Sequence, residues 1–148
     1  MRIGIVGNEA AKFTNSGALR ACDAIRQLVQ PLVGVEHSAV VSGACHLGGV
    51  DIWARDIARW LGVPMIEFPP ASQSWEHGYK PRNLQIAEAS DFVFCLAVDR
   101  LPHGFSGMRF KRCYHCNRVD HVKSGGCWTV LQAQRLGKRG AIVVIPNG

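Results

Sequence analysis

A chain of 148 residues is the size of one ordinary domain, and at that size roughly 70% of the unfolded surface is buried on folding, so the core needs no disulfide support. A hydrophobic content of 47% excludes a disordered segment, and no apolar run approaches the ~20 residues that span a bilayer, which excludes a helical membrane protein. The formal net charge of +6 points to anionic partners.

The N-terminal MRIGIVGNEA lacks the long apolar region and cleavage site of a secretory signal, so the protein is expected in the cytoplasm with no membrane role. RIGIVG is a short β-branched run ending at glycine, the pattern of a buried parallel strand. Asn15 or Ser16 is placed to cap a helix whose stripe is Ala18, Cys22, Ile25 and Val29, ended by Pro31 and Gly34. Residues 38–42 read as the second strand and run into a small-residue loop over 43–49. Asp51 is placed to cap the next helix, with Ile52 or Trp53, Ile57, Trp60 and Leu61 inward and Gly62 as its stop.

Residues 64–68 give a third strand, and 69–80 a turn-rich loop with Trp75, His77 and Tyr79. Pro81, Arg82 and Asn83 open a helix with Leu84, Ile86 and Ala87 on its core side. Residues 91–98 form the fourth strand, 129–136 the last helix and 141–145 the last strand. The connection over 99–123 is too long for an ordinary loop and reads as a functional insertion. Strands alternating with helices predict an α/β, Rossmann-like three-layer sandwich: a parallel five-stranded sheet with helices on both faces, as a single domain over 1–148. Ligands of such sheets bind outside the carboxyl ends of the strands, where every long loop of this chain falls.

Within the insertion, Cys113, Cys116, His121 and Cys127 stand as C-x2-C-x4-H-x5-C, and His115 is an alternative to His121. Two thiolates from one tight turn, closed by a histidine and a third thiolate, make a tetrahedral site with no open position, which is structural zinc. Free or redox cysteines are the rival reading. Cys22, Cys45 and Cys95 sit in apolar segments as small core residues. Ser124, Gly125 and Gly126 precede a helix, so their backbone N–H groups, with the helix dipole and the Thr129 hydroxyl, suit an oxyanion. The 43–49 loop allows similarly close backbone approach. Arg82 is a forked donor for phosphate, Asp51 or Asn83 an acceptor for a ribose hydroxyl, and Trp75, Tyr79 or Trp128 a stacking partner for a base.

Four stretches in order, MRIGIVGN, VVSGACHLGGVD, KPRNLQIAEASDFVF and KSGGCWTVLQAQRLGK, resemble the SLOG superfamily, the Rossmann-like group that includes the DprA DNA-processing proteins and the LOG (lysine decarboxylase-like) phosphoribohydrolases. The likeness is greatest to small stand-alone SLOG-like proteins, many of them from phages and actinobacteria. The resemblance implies a nucleotide or nucleotide-derived ligand at the carboxyl edge, and homo-oligomers. Its pocket residues would be Gly7 and Asn8, then Gly43, Ala44, Gly48, Gly49 and Asp51, then Arg82 and Asn83, and finally Ser124, Gly125, Gly126, Trp128 and Thr129. The phosphoribohydrolases carry PGGxGTxxE with a catalytic glutamate. Here Ser124 stands at the proline, Trp128 at a glycine and Gln132 at the glutamate, so no catalytic residue is assigned.

Sensing or sequestration of a nucleotide-derived ligand is therefore the leading expectation. A nucleoside or nucleotide N-glycosidase or transferase using Asp51, Glu67 or Glu9 is the alternative. Single-stranded DNA binding by the basic insertion, in the manner of DprA-like basic faces, is the third.

Overall fold

The computed structural model describes residues 1–148. Five strands, β1 (Arg2–Gly7), β2 (Ala39–Ser42), β3 (Met65–Glu67), β4 (Phe92–Val98) and β5 (Arg139–Ile145), form one parallel sheet in the order β3-β2-β1-β4-β5. Helices α1 (Asn15–Val29) and α2 (Val50–Leu61) cover one face, and α3 (Lys80–Ala89) and α4 (Gly125–Arg135) cover the other. The expected α/β Rossmann-like sandwich is what the chain forms.

Alternation along each strand divides the core into two layers. Ile3 and Ile5 of β1, Val40 of β2 and Leu96 of β4 pack with Ile25 and Val29 of α1 and Ala54 and Ala58 of α2. Val6, Val41, Val93 and Cys95 point the opposite way, onto Ile86 and Ala87 of α3 and Val130 and Ala133 of α4. β1 and β4 supply side chains to both layers, as strands buried on both faces must.

Helix registers and caps differ from the expectation in several places. Thr14 caps α1: its hydroxyl accepts from the Gly17 N–H at 2.9 Å, and the buried stripe is Gly17, Ala21, Ile25 and Val29, with Ala18 and Cys22 half-buried at its margin. Gly49, not Asp51, stands at the cap of α2. Val50, Ala54 and Ala58 face inward there, and Trp60 is 79% exposed. Trp53, Ile57 and Leu61 of the expected stripe are half-buried and pack at the margin of that core, so Trp60 is the member that leaves it. The 69–80 stretch is not all loop. Trp75–Tyr79 makes a π-helical turn, capped by Ser74, that runs directly into α3. Arg82 and Asn83 thereby become buried, and Leu84 turns to solvent. α4 starts four residues ahead of the expected 129, at Gly125, because the Ser124 hydroxyl accepts from the Gly126 N–H.

The exposed Trp60 and the fully buried Ile25 give a direct check. Trp60→Ala is expected to change stability by no more than about 0.5 kcal/mol, whereas Ile25→Ala costs about 2–5 kcal/mol. Urea denaturation of both variants measures the difference.

Candidate functional site

β1 leads to β2 on one side and lies against β4 on the other, so the strand order reverses between β1 and β4. A cavity of about 240 Å³ opens at the carboxyl ends of those strands, the expected place for a ligand in this architecture. Its floor is Val6, Gly7 and Asn8 at the end of β1, with Gly125 and Gly126 from the first turn of α4. Cys45, Leu47 and Asp51 form one wall, Trp75, Tyr79, Arg82 and Asn83 another, and Glu9, Lys12 and Lys123 the rim.

Asn8 is built into the floor and is only 2% exposed. Its Oδ1 accepts from the Val98 N–H at 2.9 Å, and its Nδ2 donates to the Lys123 carbonyl at 3.1 Å. Its side chain is therefore satisfied by the protein at both ends of the insertion. Its own carbonyl accepts from the Val50 N–H. That bond requires glycine at 49, where φ is +85° and a Cβ would come within 2.4 Å of the Asn8 oxygen.

Arg82 is likewise committed. Its Nη1 donates to the Gly43 carbonyl and its Nε to the Asn83 Oδ1. A Cβ at Gly43 would collide with this guanidinium, which explains the glycine. Asp51 faces the same loop, where its Oδ2 accepts from the Cys45 N–H at 3.2 Å. Burial pushes the Asp51 carboxyl above its ordinary range, and the nearby Arg82 charge offsets this only in part.

Several donors at the cavity remain without a full set of protein partners, the Lys123 ammonium and the Arg82 Nη2 among them. The Asn83 Nδ2 has none, although the residue is only 6% exposed, and it points toward Gly125, lying 3.8 Å from where a Cβ there would stand. The Gly125 N–H, at the first position of α4, has no intrahelical acceptor. Lys12 is half-buried, with its Nζ 3.4 Å from the Lys123 carbonyl and 3.9 Å from the Glu9 carboxylate. Burial, and then the Lys123 charge, lower its pKa.

Of the residues singled out in the sequence, Gly7, Asn8, Asp51, Arg82, Asn83, Ser124, Gly125 and Gly126 line the cavity. Gly43, Ala44, Gly48 and Gly49 stand behind the wall and shape it. Trp128 packs edge-on against Trp75 at 5.6 Å and lies outside the lining. Thr129 is fully buried and turns its hydroxyl back to the Gly125 carbonyl at 3.5 Å, away from any oxyanion. Gln132 lies outside the lining too, and Glu67 belongs to an ion pair with Arg55 at 3.8 Å. Sequence reading missed Lys12 and Cys45. A lysine five residues past β1 was a usable signal, since the intervening turn Ala10–Lys12 stays at the same sheet edge.

The cysteine–histidine cluster abuts this cavity. The ligand atoms of Cys113, Cys116, His121 and Cys127 all lie within 4.8 Å of one another, and the group can hold a metal ion. The His121 Nδ1 is 2.9 Å from the Val122 carbonyl, which leaves Nε2 facing the sulfurs, 3.3 Å from Cys116 and 3.7 Å from Cys127. His115 turns away and packs on Trp75 and Tyr114. A hydrogen bond from the Cys127 thiol holds Cys113 down at about 4, and the same bond, with Cys95 behind it, pushes Cys127 up. Of the three thiols, Cys113 is thereby the readiest to receive a cation. Cys127 sits in the same helical turn as Ser124, whose hydroxyl is 3.6 Å from the Cys95 sulfur. The metal group and the cavity floor are parts of one turn.

No protein-family model matches this chain, and no curated protein sequence does. Among solved structures it is similar to one described as the function and structure of the molybdenum cofactor carrier protein MCP from Chlamydomonas reinhardtii. The TM-score is 0.58 at 13% identity, over 95% of this chain and 74% of that one. At that identity the likeness is one of fold: a Rossmann-like parallel sheet flanked by helices.

Two outcomes follow from the buried polar groups. Asn8→Ala removes the tie to both ends of the insertion, and is expected to cost roughly 2–3 kcal/mol in urea denaturation and to speed tryptic cleavage within 99–123. Asp51, with its raised pKa, stabilises the fold most below the ordinary carboxylate value of 3.8, and that contribution is lost as pH rises through its higher folded value. The stability of wild type relative to Asp51→Asn is therefore expected to decline as pH climbs above 3.8 and then to level off, as thermal denaturation across pH will record.

Proposed function

We propose that this chain is one SLOG-like domain that binds a nucleotide or nucleotide-derived ligand in the cavity at the carboxyl edge, and senses, sequesters or carries it. The observation that carries the reading is the convergence of Asn83 Nδ2, the Gly125 N–H and Lys12 at the start of α4. A helix N-terminus, an amide donor and a lysine together suit a phosphoryl group. Trp75 and Tyr79 offer aromatic faces for a base at the adjoining wall. Arg82, expected to neutralise the phosphate, instead contributes mainly by holding Asn83 and the 43–49 loop in position. The fold likeness to a cofactor carrier supports binding of a small ligand.

The metal in this reading is zinc, held by Cys113, Cys116, His121 and Cys127, since three sulfurs and one nitrogen in a closed, buried group match a structural zinc site. Its role is to fix the first turn of α4 and the insertion. All six cysteines are free, which accords with a reducing, cytoplasmic setting. Homo-oligomers belong to the reading as well, with Leu19 and Trp60, 73% and 79% exposed on the α1–α2 face, as the apolar surface a second copy would cover.

A second reading rests on Asp51. A carboxyl whose pKa is raised by burial beside a ligand cavity suits a general acid that protonates a departing base, as in N-glycoside hydrolysis. Release of free base from nucleotides, lost in Asp51→Asn, would favour that reading.

Native mass spectrometry of protein purified from cells, followed by denaturation, tests the first reading by identifying what co-purifies. Calorimetry with the released compound, or with AMP, ADP and dinucleotides where none is released, is expected to show Lys12→Ala weakening binding at least about tenfold, in line with the roughly 1.5–3 kcal/mol of a charge-assisted bond. Unchanged affinity would remove Lys12 from the site, and binding of none of these compounds would overturn the reading. Chelation of the metal is expected to abolish ligand binding in parallel. Full affinity in metal-free protein would refute the coupling.

A further inference from the structure

The cations of the insertion are not all alike. Arg118 is paired with Asp120, and the Lys123 ammonium lies over the Phe110 and Tyr114 rings at 5.5 Å and 5.3 Å. Arg100, His103 and Arg109 take part in none of the protein's ion pairs. These three line one cleft of about 510 Å³, which shares no lining residue with the cavity at the carboxyl edge. No acidic residue lines it. Asp99, next in the chain to Arg100, is engaged elsewhere: its Oδ1 accepts from the Asn147 N–H at 2.9 Å.

The protein holds both guanidiniums in position. A turn at Gly104, where φ is +83°, lets the Phe105 N–H donate to the Pro102 carbonyl at 3.1 Å. The Phe105 carbonyl accepts from the Arg109 Nη2 at 3.1 Å, and the Arg109 guanidinium lies 5.9 Å from the centroid of the Phe105 ring. Gly107 has to be glycine, because a Cβ there would come within 2.5 Å of that ring. Arg100 is fixed through its backbone and its tip. Asn147 is 3% exposed, and its Nδ2 donates to the Arg100 carbonyl at 2.8 Å. The Arg100 Nη2 lies against Gly148, where any side chain would strike it, while the Gly148 carbonyl accepts from Arg20 and Ser16. Leu101 and Pro102, half-buried, give the cleft an apolar side.

Arg109 spends one N–H of its fork on Phe105 and keeps the rest for a ligand. Two permanent charges beside an imidazole, with no counter-charge in the lining, favour a dianion over a carboxylate, and a phosphate monoester is largely a dianion at neutral pH. The volume falls within the roughly 300–1,000 Å³ of small-molecule sites, more than an inorganic ion fills. No aromatic ring lines the cleft, so it offers no platform for a base.

We propose that this cleft is a second ligand site, which takes the phosphate monoester of a small organic molecule. Arg100, Arg109 and His103 hold the phosphoryl group, and Leu101 and Pro102 meet the organic part. The site stands whether or not the cavity binds a nucleotide. The two meet only behind their walls, where the Asn147 Nδ2 donates to the carbonyls of both Arg100 and Lys12.

The test is amide-resolved NMR of the isotopically labelled whole chain, titrated at constant ionic strength with phenyl phosphate and with inorganic phosphate. Phenyl phosphate is expected to give saturable shifts at Arg100, His103, Gly104, Arg109 and Asn147, with higher affinity than inorganic phosphate. The Arg100→Ala, Arg109→Ala double variant is expected to bind at least about tenfold more weakly. Arg109→Lys, which keeps the charge and loses the fork, is expected to weaken binding as well. Metal content and the spread of the amide signals report whether each variant folds, and Arg109→Lys serves alone where the double variant does not. Lys12→Ala is expected to leave the cleft's affinity unchanged, and shifts at Asn83 and Gly125 report the cavity separately. Shifts that grow without saturation, shifts confined to the cavity, equal affinity for the two phosphates, or wild-type affinity in Arg109→Lys would each overturn the proposal. So would tighter binding of oligo-dT than of phenyl phosphate at the same residues.

Discussion

One buried asparagine side chain closes the functional edge of this protein. The Asn8 amide accepts from the residue where the chain leaves the sheet, Val98, and donates to the residue where it returns, Lys123. Its backbone bonds to Leu96 on β4 and to Val50 at the head of α2. Ordering a loop of this length costs conformational entropy in proportion to the residues fixed, and closing its ends adds a smaller cost that grows slowly with length. Both ends meet on this one buried side chain, and the Val122 N–H also donates directly to the Val98 carbonyl at 2.8 Å, so the closure is shared between the end of β1 and the loop's own ends.

The cysteine–histidine group is the second fixed point on that loop. Because Cys127 lies in the first turn of α4, order at the cluster is passed to Ser124, Gly125 and Gly126 with no moving part between. Gly43 and Arg82 supply the matching constraint on the opposite wall, where a buried guanidinium joins the loop after β2 to α3. The cavity is thus framed by two struts, one a guanidinium–carbonyl hydrogen bond and one built of sulfur and nitrogen. The donors left over after both struts are made are the ones that face its interior.

Much of this was legible in the sequence, and the residues that were not share a physical reason. Short apolar runs, the first of them β-branched and ending at Gly7, marked the strands, and the alternation with helices implied a parallel sheet. The C-x2-C spacing, with His121 and Cys127 behind it, selected a group of side chains that the fold does bring together. Periodicity locates an element but leaves its rotation open when two stripes compete, as Trp60 against Ala54 and Ala58 shows. Composition names a donor but not its acceptor. Arg82 and Thr129 were read as facing a ligand, yet one is held by Gly43 and Asn83 and the other bends back to Gly125. Lys12 escaped notice for the complementary reason: it stands in a short turn with no motif, and only the third dimension brings it beside Lys123.

That both termini of the insertion rest on Asn8 makes the segment between them a cassette. Val98 continues a strand already paired with β5, and Lys123 is the last residue before the cap of α4, while Cys113 between them packs into the same core layer as Val130 and Ala133 of α4. Outside Cys113, Cys116 and His121, the residues between those two positions can change in length and composition while the sheet and the helix stay in register. The outer surface of the loop can then vary without displacing the cavity at the carboxyl edge.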